Sequence, residues 1–221
     1  MALSTKNLPT ATAGLSKTIK PGNRLAKLNG LALEADRFKE GAYHLNLSLE
    51  GPDLGDEFEG FFIDNEDHSK GRHKGQVGVV RAGAFSFSDG EVNGRVISRD
   101  EEILKFLATM GRNLGKSAEL DNIKAETIEE YVPLAAKVLC GTETFLHYCI
   151  GGKEYESKGY TNYNLFLVKP DFKAKRYPVA ADEENLVKYD AEKHIQKKKE
   201  KAPVEEFAPA ADLPDEQPFD L

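Results

Sequence analysis

Residues 42–51 read AYHLNLSLEG, and their alternation decides the fold class. Tyr43, Leu45, Leu47 and Leu49 take every second position, with His44, Asn46, Ser48 and Glu50 between them. Side chains leave a strand on alternate faces, so a period of two predicts a strand with one face buried and one in water. On the N-terminal side, RLAKLNGLALEA (24–35) mixes Leu and Ala with one glycine and predicts a first strand. On the C-terminal side, EFEGFFID (57–64) predicts a third strand, and GQVGVVRAGAFSF (75–87) predicts extended chain interrupted by glycines. Glycine inside strand patterns marks bulges and sharp bends, which small barrels need at their corners.

The period then changes. Ser98-Arg99-Asp100-Glu101 fits a capping box, and Ile103, Leu104, Leu107 and Met110 follow at helical spacing. Gly111 and Gly115 end or fray that helix. A second helix is predicted over 125–139, where Pro133 implies a kink or a division into two short helices. Gly141 follows where a C-terminal cap belongs. Strand character returns in TFLHYCI (144–150), and residues 151–168 predict a hairpin ending in the strand YNLFLV (163–168).

Several strands, two helices and a final strand pair make a mainly β chain with inserted helices. That order suits an OB-fold-like five-stranded Greek-key barrel over residues 20–180, with the two helices before the last strand pair. An α+β open sheet is the competing architecture. Residues 1–19, rich in Ser, Thr and Ala without periodicity, predict a flexible N-terminal arm. After Tyr177 the apolar pattern fails, KKKEK (197–201) is a solvated charge run, and four prolines punctuate the last twenty residues. Residues 181–221 therefore predict a linker and a disordered acidic C-terminal tail, with a short helix around 182–199 as the alternative.

The chain has 221 residues, a charged fraction of 30% and no apolar run long enough to span a bilayer. With no apolar segment and cleavage site at its start, it predicts a soluble, cytoplasmic protein without membrane association. Cys140 and Cys149 are too few and too far apart for a zinc site of paired cysteines. They read as buried thiols, with a disulfide as the alternative.

The net charge of −7 conceals a segregated chain. The last twenty residues carry six acids and no base, so the 201 residues before them hold a net charge of only −1. Residues 1–33 and 68–88 contain bases and no acid, and residues 157–178 set five bases against Asp171 alone. Sign asymmetry of this kind says more about partners than the sum does.

Catalytic patterns are thin. Glu156-Ser157-Lys158 matches half of a Mg²⁺ nuclease motif, but the upstream aspartate that would share the metal is missing. Asp64, Asp67, His68 and His73 share one loop without the spacing of a calcium site or a helical ligand pair. No phosphate-binding loop, nucleophile elbow or Cys/His dyad is present, and His147 and Cys149 read as core packing. The expectation is a non-enzyme that needs no metal and no cofactor.

Binding patterns are richer. Sequence-tolerant capture of single-stranded nucleic acid needs cations along the phosphates and aromatic faces for the bases. The phosphate candidates are Lys20, Arg24, Lys27, Lys70, Arg72, Lys74, Arg81, Lys158, Lys173, Lys175 and Arg176. The stacking candidates are Tyr155, Tyr160, Tyr163 and Tyr177, whereas Phe85, Phe87 and Phe166 have core packing as a competing role. A flexible tether of about 40 residues spans roughly 35 Å, so the acidic tail can reach a basic groove and compete for it.

An OB-like body with an acidic, proline-containing C-terminus and a near-terminal phenylalanine resembles the single-stranded DNA-binding proteins of bacteria and tailed phages. KPGNRLAKLNGLALE (20–34) and the helices inserted before the final strand pair look more like the divergent phage replication proteins. The resemblance implies single-stranded DNA as ligand, and roles in DNA replication, recombination and repair. It also implies a tail, through Asp212, Asp215, Glu216, Phe219 and Asp220, that recruits replication proteins. In this chain Asp220 and Leu221 follow Phe219, and prolines separate the acids, which departs from the family's pattern. A protein-interaction adaptor with a peptide-ligand tail is the rival expectation, followed by the Glu156/Lys158 nuclease. A homodimer stays open, because nothing in the sequence sets the oligomeric state.

Overall fold

The computed structural model describes residues 16–56, 58–63, 71–92 and 94–197. Its first two strands are β1 (Gly22–Ala35) and β2 (Tyr43–Glu50). They pair antiparallel, with Leu28, Leu31 and Leu33 opposite Leu49, Leu47 and Leu45. Leu45, Leu47 and Leu49 are buried, as the alternation requires. The register shifts between Leu28 and Gly30, which places a bulge at Asn29 and bends the strand.

The third barrel strand is β5 (Val77–Arg81), from the glycine-interrupted stretch. Residues 57–64 do not supply a barrel strand. Among the described residues of this stretch only Phe61–Phe62 is a strand (β3), which pairs with β4 (Arg72–His73) in a ribbon outside the barrel. The reason lies in the pattern, since Phe58, Phe61, Phe62 and Ile63 do not alternate and Phe58 packs edge-on against Phe61 locally. Strands β6 (Gly90–Val92) and β7 (Arg95–Ile97) form a second small ribbon.

Three helices follow, where two were expected: α1 (Arg99–Asn113), α2 (Ser117–Asp121) and α3 (Ile128–Leu139). Ser98 caps α1 by accepting from the Glu101 N–H at 3.4 Å, and Thr127 caps α3 through the Glu130 N–H at 3.3 Å. The Glu130 carboxylate in turn accepts from the Glu126 N–H. Gly111 lies inside α1 and faces Leu120 of α2, so it does not end the helix. Pro133 sits on the exposed side of α3 without dividing it. Ile103, Leu107 and Met110 of α1, with Ile128, Val132, Ala135 and Leu139 of α3, join the barrel interior in one core.

The last barrel strands are β8 (Leu146–Ser157) and β9 (Tyr160–Leu167). The order β1-β2-β5-β9-β8 closes because β8 also pairs with β1. All of these neighbours are antiparallel except β5 and β9. The result is a closed five-stranded barrel with an OB-like order, and the helices connect its third strand to its fourth.

The packed body continues past residue 180. Strand β10 (Val179–Ala180) pairs with β8, helix α4 (Ala191–His194) follows, and β11 (Ile195–Gln196) runs parallel to β8. Cys149, Val168, Ala180, Leu186 and Val187 form a second apolar cluster on the outward side of β8. Residues 181–197 therefore cover a sheet face where a linker was expected. Their few apolar residues are spaced without a period, so no pattern announces them. At the other end, Ile19 is buried and Thr18 bridges to Val77, which docks residues 16–19. Residues 1–15 and 198–221 lie outside the described residues. Both cysteines are free thiols, and burial pushes Cys140 up to about 11 and Cys149 to about 12, leaving little thiolate at neutral pH.

Candidate nucleic-acid interface

The residues between the buried leucines of β2 face outward, and the register aligns them with their neighbours. Asn46 lies between Ala32 of β1 and Arg81 of β5, and Ser48 lies between Gly30 and Val79. Arg81 is next to Phe166 across the parallel β5–β9 pair. The face is polar and shallow, with Val79 60% exposed at its middle. Beside the β1 bulge a groove of about 220 Å³ is lined by Asn29, Ser48, His73, Val77 and Val79.

Two carboxylate clusters bound this face. At one edge Glu50 takes Asn29, the His73 Nδ1 at 3.0 Å and the Lys27 ammonium at 3.9 Å. Lys27 also meets Glu143 at 3.2 Å, so this phosphate candidate is held between two acids. At the other edge Asn46 donates to Glu34, and His44 contacts Asp36 at 3.3 Å. Burial, then the neighbouring Arg81 charge, lowers the His44 imidazole below its usual value although Asp36 and Glu34 pull it upward. The contact is thus a neutral Nε2–H donating to a carboxylate. Asp36 itself is held low, chiefly by hydrogen bonds from Ser86 and the Phe38 N–H.

The β8–β9 hairpin turns through Lys158 and Gly159, both at positive φ (53° and 78°). A two-residue turn of that shape matches the right-handed twist of its strands. Tyr155 pairs with Asn162 and Ser157 with Tyr160, so both tyrosines stand on one face. Tyr155 is 42% exposed and Tyr160 74%. Tyr163 opposes Glu154 on the other face, where it is half-buried against the barrel core. Because β9 runs parallel to β5, the hairpin tip is at the end of the barrel where β5 begins. Arg72 and Lys74 precede β5 at that end. The Arg72 guanidinium lies 4.8 Å over the Phe62 ring, and Lys74 is 3.9 Å from Asp53. Lys20 is exposed before β1, whereas Arg24 folds back onto the carbonyls of Lys20 and Pro21.

No family model and no curated protein matches the chain.

The remaining candidates lie elsewhere. Lys173, Lys175, Arg176 and Tyr177 follow β9 at the opposite end of the barrel, in a turn where the Asp171 carboxylate accepts from the Lys173 and Ala174 N–H groups. Lys70 and the tail residues Asp212, Asp215, Glu216, Phe219 and Asp220 lie outside the described residues. The structure thus gathers Lys20, Arg72, Lys74, Tyr155, Lys158 and Tyr160 at one end, and separates them from residues 173–177.

Sequence reasoning passed over Asn46, Ser48, Val79 and Asn164, the uncharged members of the outward face. For Asn46 and Ser48 the signal was the polar beat of AYHLNLSLEG, visible once the strand's inward beat is assigned. Of the ambiguous phenylalanines, Phe87 is half-buried against the core and Phe166 is buried, but Phe85 is 72% exposed with the Lys169 ammonium 6.0 Å from its ring centre. Chemically, the face offers amides and hydroxyls for base edges, tyrosines for stacking, and cations for phosphates. Glu156 is exposed near Lys158, and no cluster of three or more His, Cys, Asp or Glu fit to hold a metal exists among the described residues. Among the described residues, no helix is long and apolar enough to cross a membrane.

Proposed function

We propose that this protein binds single-stranded DNA with little sequence preference, in replication or recombination, and performs no catalysis. The observation that carries the proposal is the β8–β9 hairpin. It presents two exposed tyrosines on one face beside Lys158, at the barrel end that also holds Arg72 and Lys74. Stacking is tolerant of base identity because every base has a π face, and the cations supply a sequence-independent attraction to phosphate. The outward face of β2 and β5 then continues the track past Ser48 and Val79 to Arg81.

The acidic segment 202–221 is proposed as a tethered competitor for that track and as a ligand for replication proteins, with Phe219 as its apolar anchor. Competition by a tethered polyanion needs no new interaction, only a high effective concentration.

Replacing both Tyr155 and Tyr160 by Ala tests the hairpin's role. Stacking contributes about 1–3 kcal/mol per base, so affinity for a single-stranded oligonucleotide should fall by at least about tenfold with the circular dichroism spectrum unchanged. Unchanged affinity would remove the hairpin from the interface.

A further inference from the structure

Beyond the outward face of β9 lies an open cleft of about 590 Å³, lined by Lys169, Arg176, Lys188, Tyr189, Lys193 and His194. Resting on the DNA-binding proposal above, we propose that this cleft is a second phosphate-binding segment that a long single strand enters after leaving the barrel face. Two observations carry this, one of charge and one of position.

The cations in the cleft are mostly uncommitted. Lys193 pairs with Asp190 at 2.9 Å, but Lys169, Arg176 and Lys188 make no ion pair among the described residues. Asp171, the other acid in the cleft, directs its carboxylate to backbone N–H groups of its own turn. The cleft therefore carries net positive charge, whereas Lys27 and Lys74 on the barrel are already matched by acids. Unpaired cations facing an open cleft suit a chain of phosphates, whose bound counterions they displace.

The cleft also adjoins the barrel face directly. A Cβ built on Gly151 would lie 2.7 Å from the His194 carbonyl oxygen and 2.8 Å from the Phe166 ring, so His194 of the cleft wall and the Phe166 ring both border Gly151. Phe166 is the register neighbour of Arg81, the cation of the barrel face. At the mouth, the Lys169 ammonium stands over the exposed Phe85 ring. A strand running from Ser48 to Arg81 thus meets an exposed aromatic and then the cleft, with no acidic side chain of the cleft wall other than Asp171 and Asp190 in its way.

The test compares short and long oligonucleotides on the full chain carrying Arg176→Glu and Lys188→Glu. The short one spans the barrel face alone, and the long one also reaches the cleft. The proposal expects unchanged affinity for the short one. For the long one it expects weaker binding and a salt dependence shallower by about 0.7 in slope for each phosphate no longer neutralised. Equal weakening at both lengths would overturn it, because that reports a general charge effect. Unchanged binding at both lengths would also overturn it. If, in that case, deleting residues 202–221 no longer alters DNA affinity in the variant, the cleft is the seat of the acidic tail. A native chain that binds neither length fails the underlying function instead, which is a separate result.

Discussion

His44 shows how one residue on the candidate face sets a pH limit. Its imidazole is held below 6.5 by burial and by Arg81, against the pull of Asp36 and Glu34. The unfolded chain takes up this proton near pH 6.5, while the folded chain resists it until lower pH. The stabilisation from a neutral His44 is therefore complete above pH 6.5 and is lost as pH falls through the folded value. Replacing His44 by Gln should flatten the fall of the melting temperature as pH drops below 6.5. A native-like slope in that variant would place the acid sensitivity on another group. At this scale the sequence was only partly legible. Residue type marks Lys27 as a phosphate contact, but its fate depends on Glu50 and on Glu143, which is 116 positions away. Tyr163 is similar, since its residue type among nearby bases marks it as a stacking candidate while the β8–β9 register turns it toward the core.

Among the elements, those with a strong period were legible and those without were not. The alternation of β2 and the capped helical spacing of α1 identify themselves because burial on one side dictates both patterns. The segment from Val179 to Gln196 carries no such pattern, because an irregular chain buries single residues such as Leu186 and Val187 where it crosses β8. Its attachment depends on close approach at Gly151. Replacing Gly151 by Ala would drive a methyl group into the His194 carbonyl and the Phe166 ring, both below 3.0 Å. One of these neighbours is backbone, so the C-terminal layer should lift. Limited proteolysis should then cut between residues 188 and 197 much faster than in the native chain, with the barrel resistant. Equal cleavage rates would show that the layer tolerates the displacement.

For the whole molecule, topology was legible as the sequence of strands, helices and hairpin, and the closure of β8 on β1 completes the barrel. The convergence of the basic stretches was not legible, because it depends on which barrel end each loop joins. Lys20, Arg72 and Lys74, from two of the three acid-poor stretches, lie at the barrel end of the β8–β9 hairpin tip, while residues 173–177 end up across the barrel beside the cleft. The net charge of −7 is compatible with a DNA-binding role because residues 202–221 carry −6 of it, leaving residues 1–201 at −1.

Fluorescence anisotropy of a labelled single-stranded oligonucleotide, titrated with the full chain and with the chain ending at residue 201, tests that role most directly. Both should bind at low salt, the shorter chain more tightly, with affinity falling steeply between about 50 and about 200 mM salt and little preference among base sequences. Absence of binding at low salt, even with residues 202–221 removed, would contradict the account.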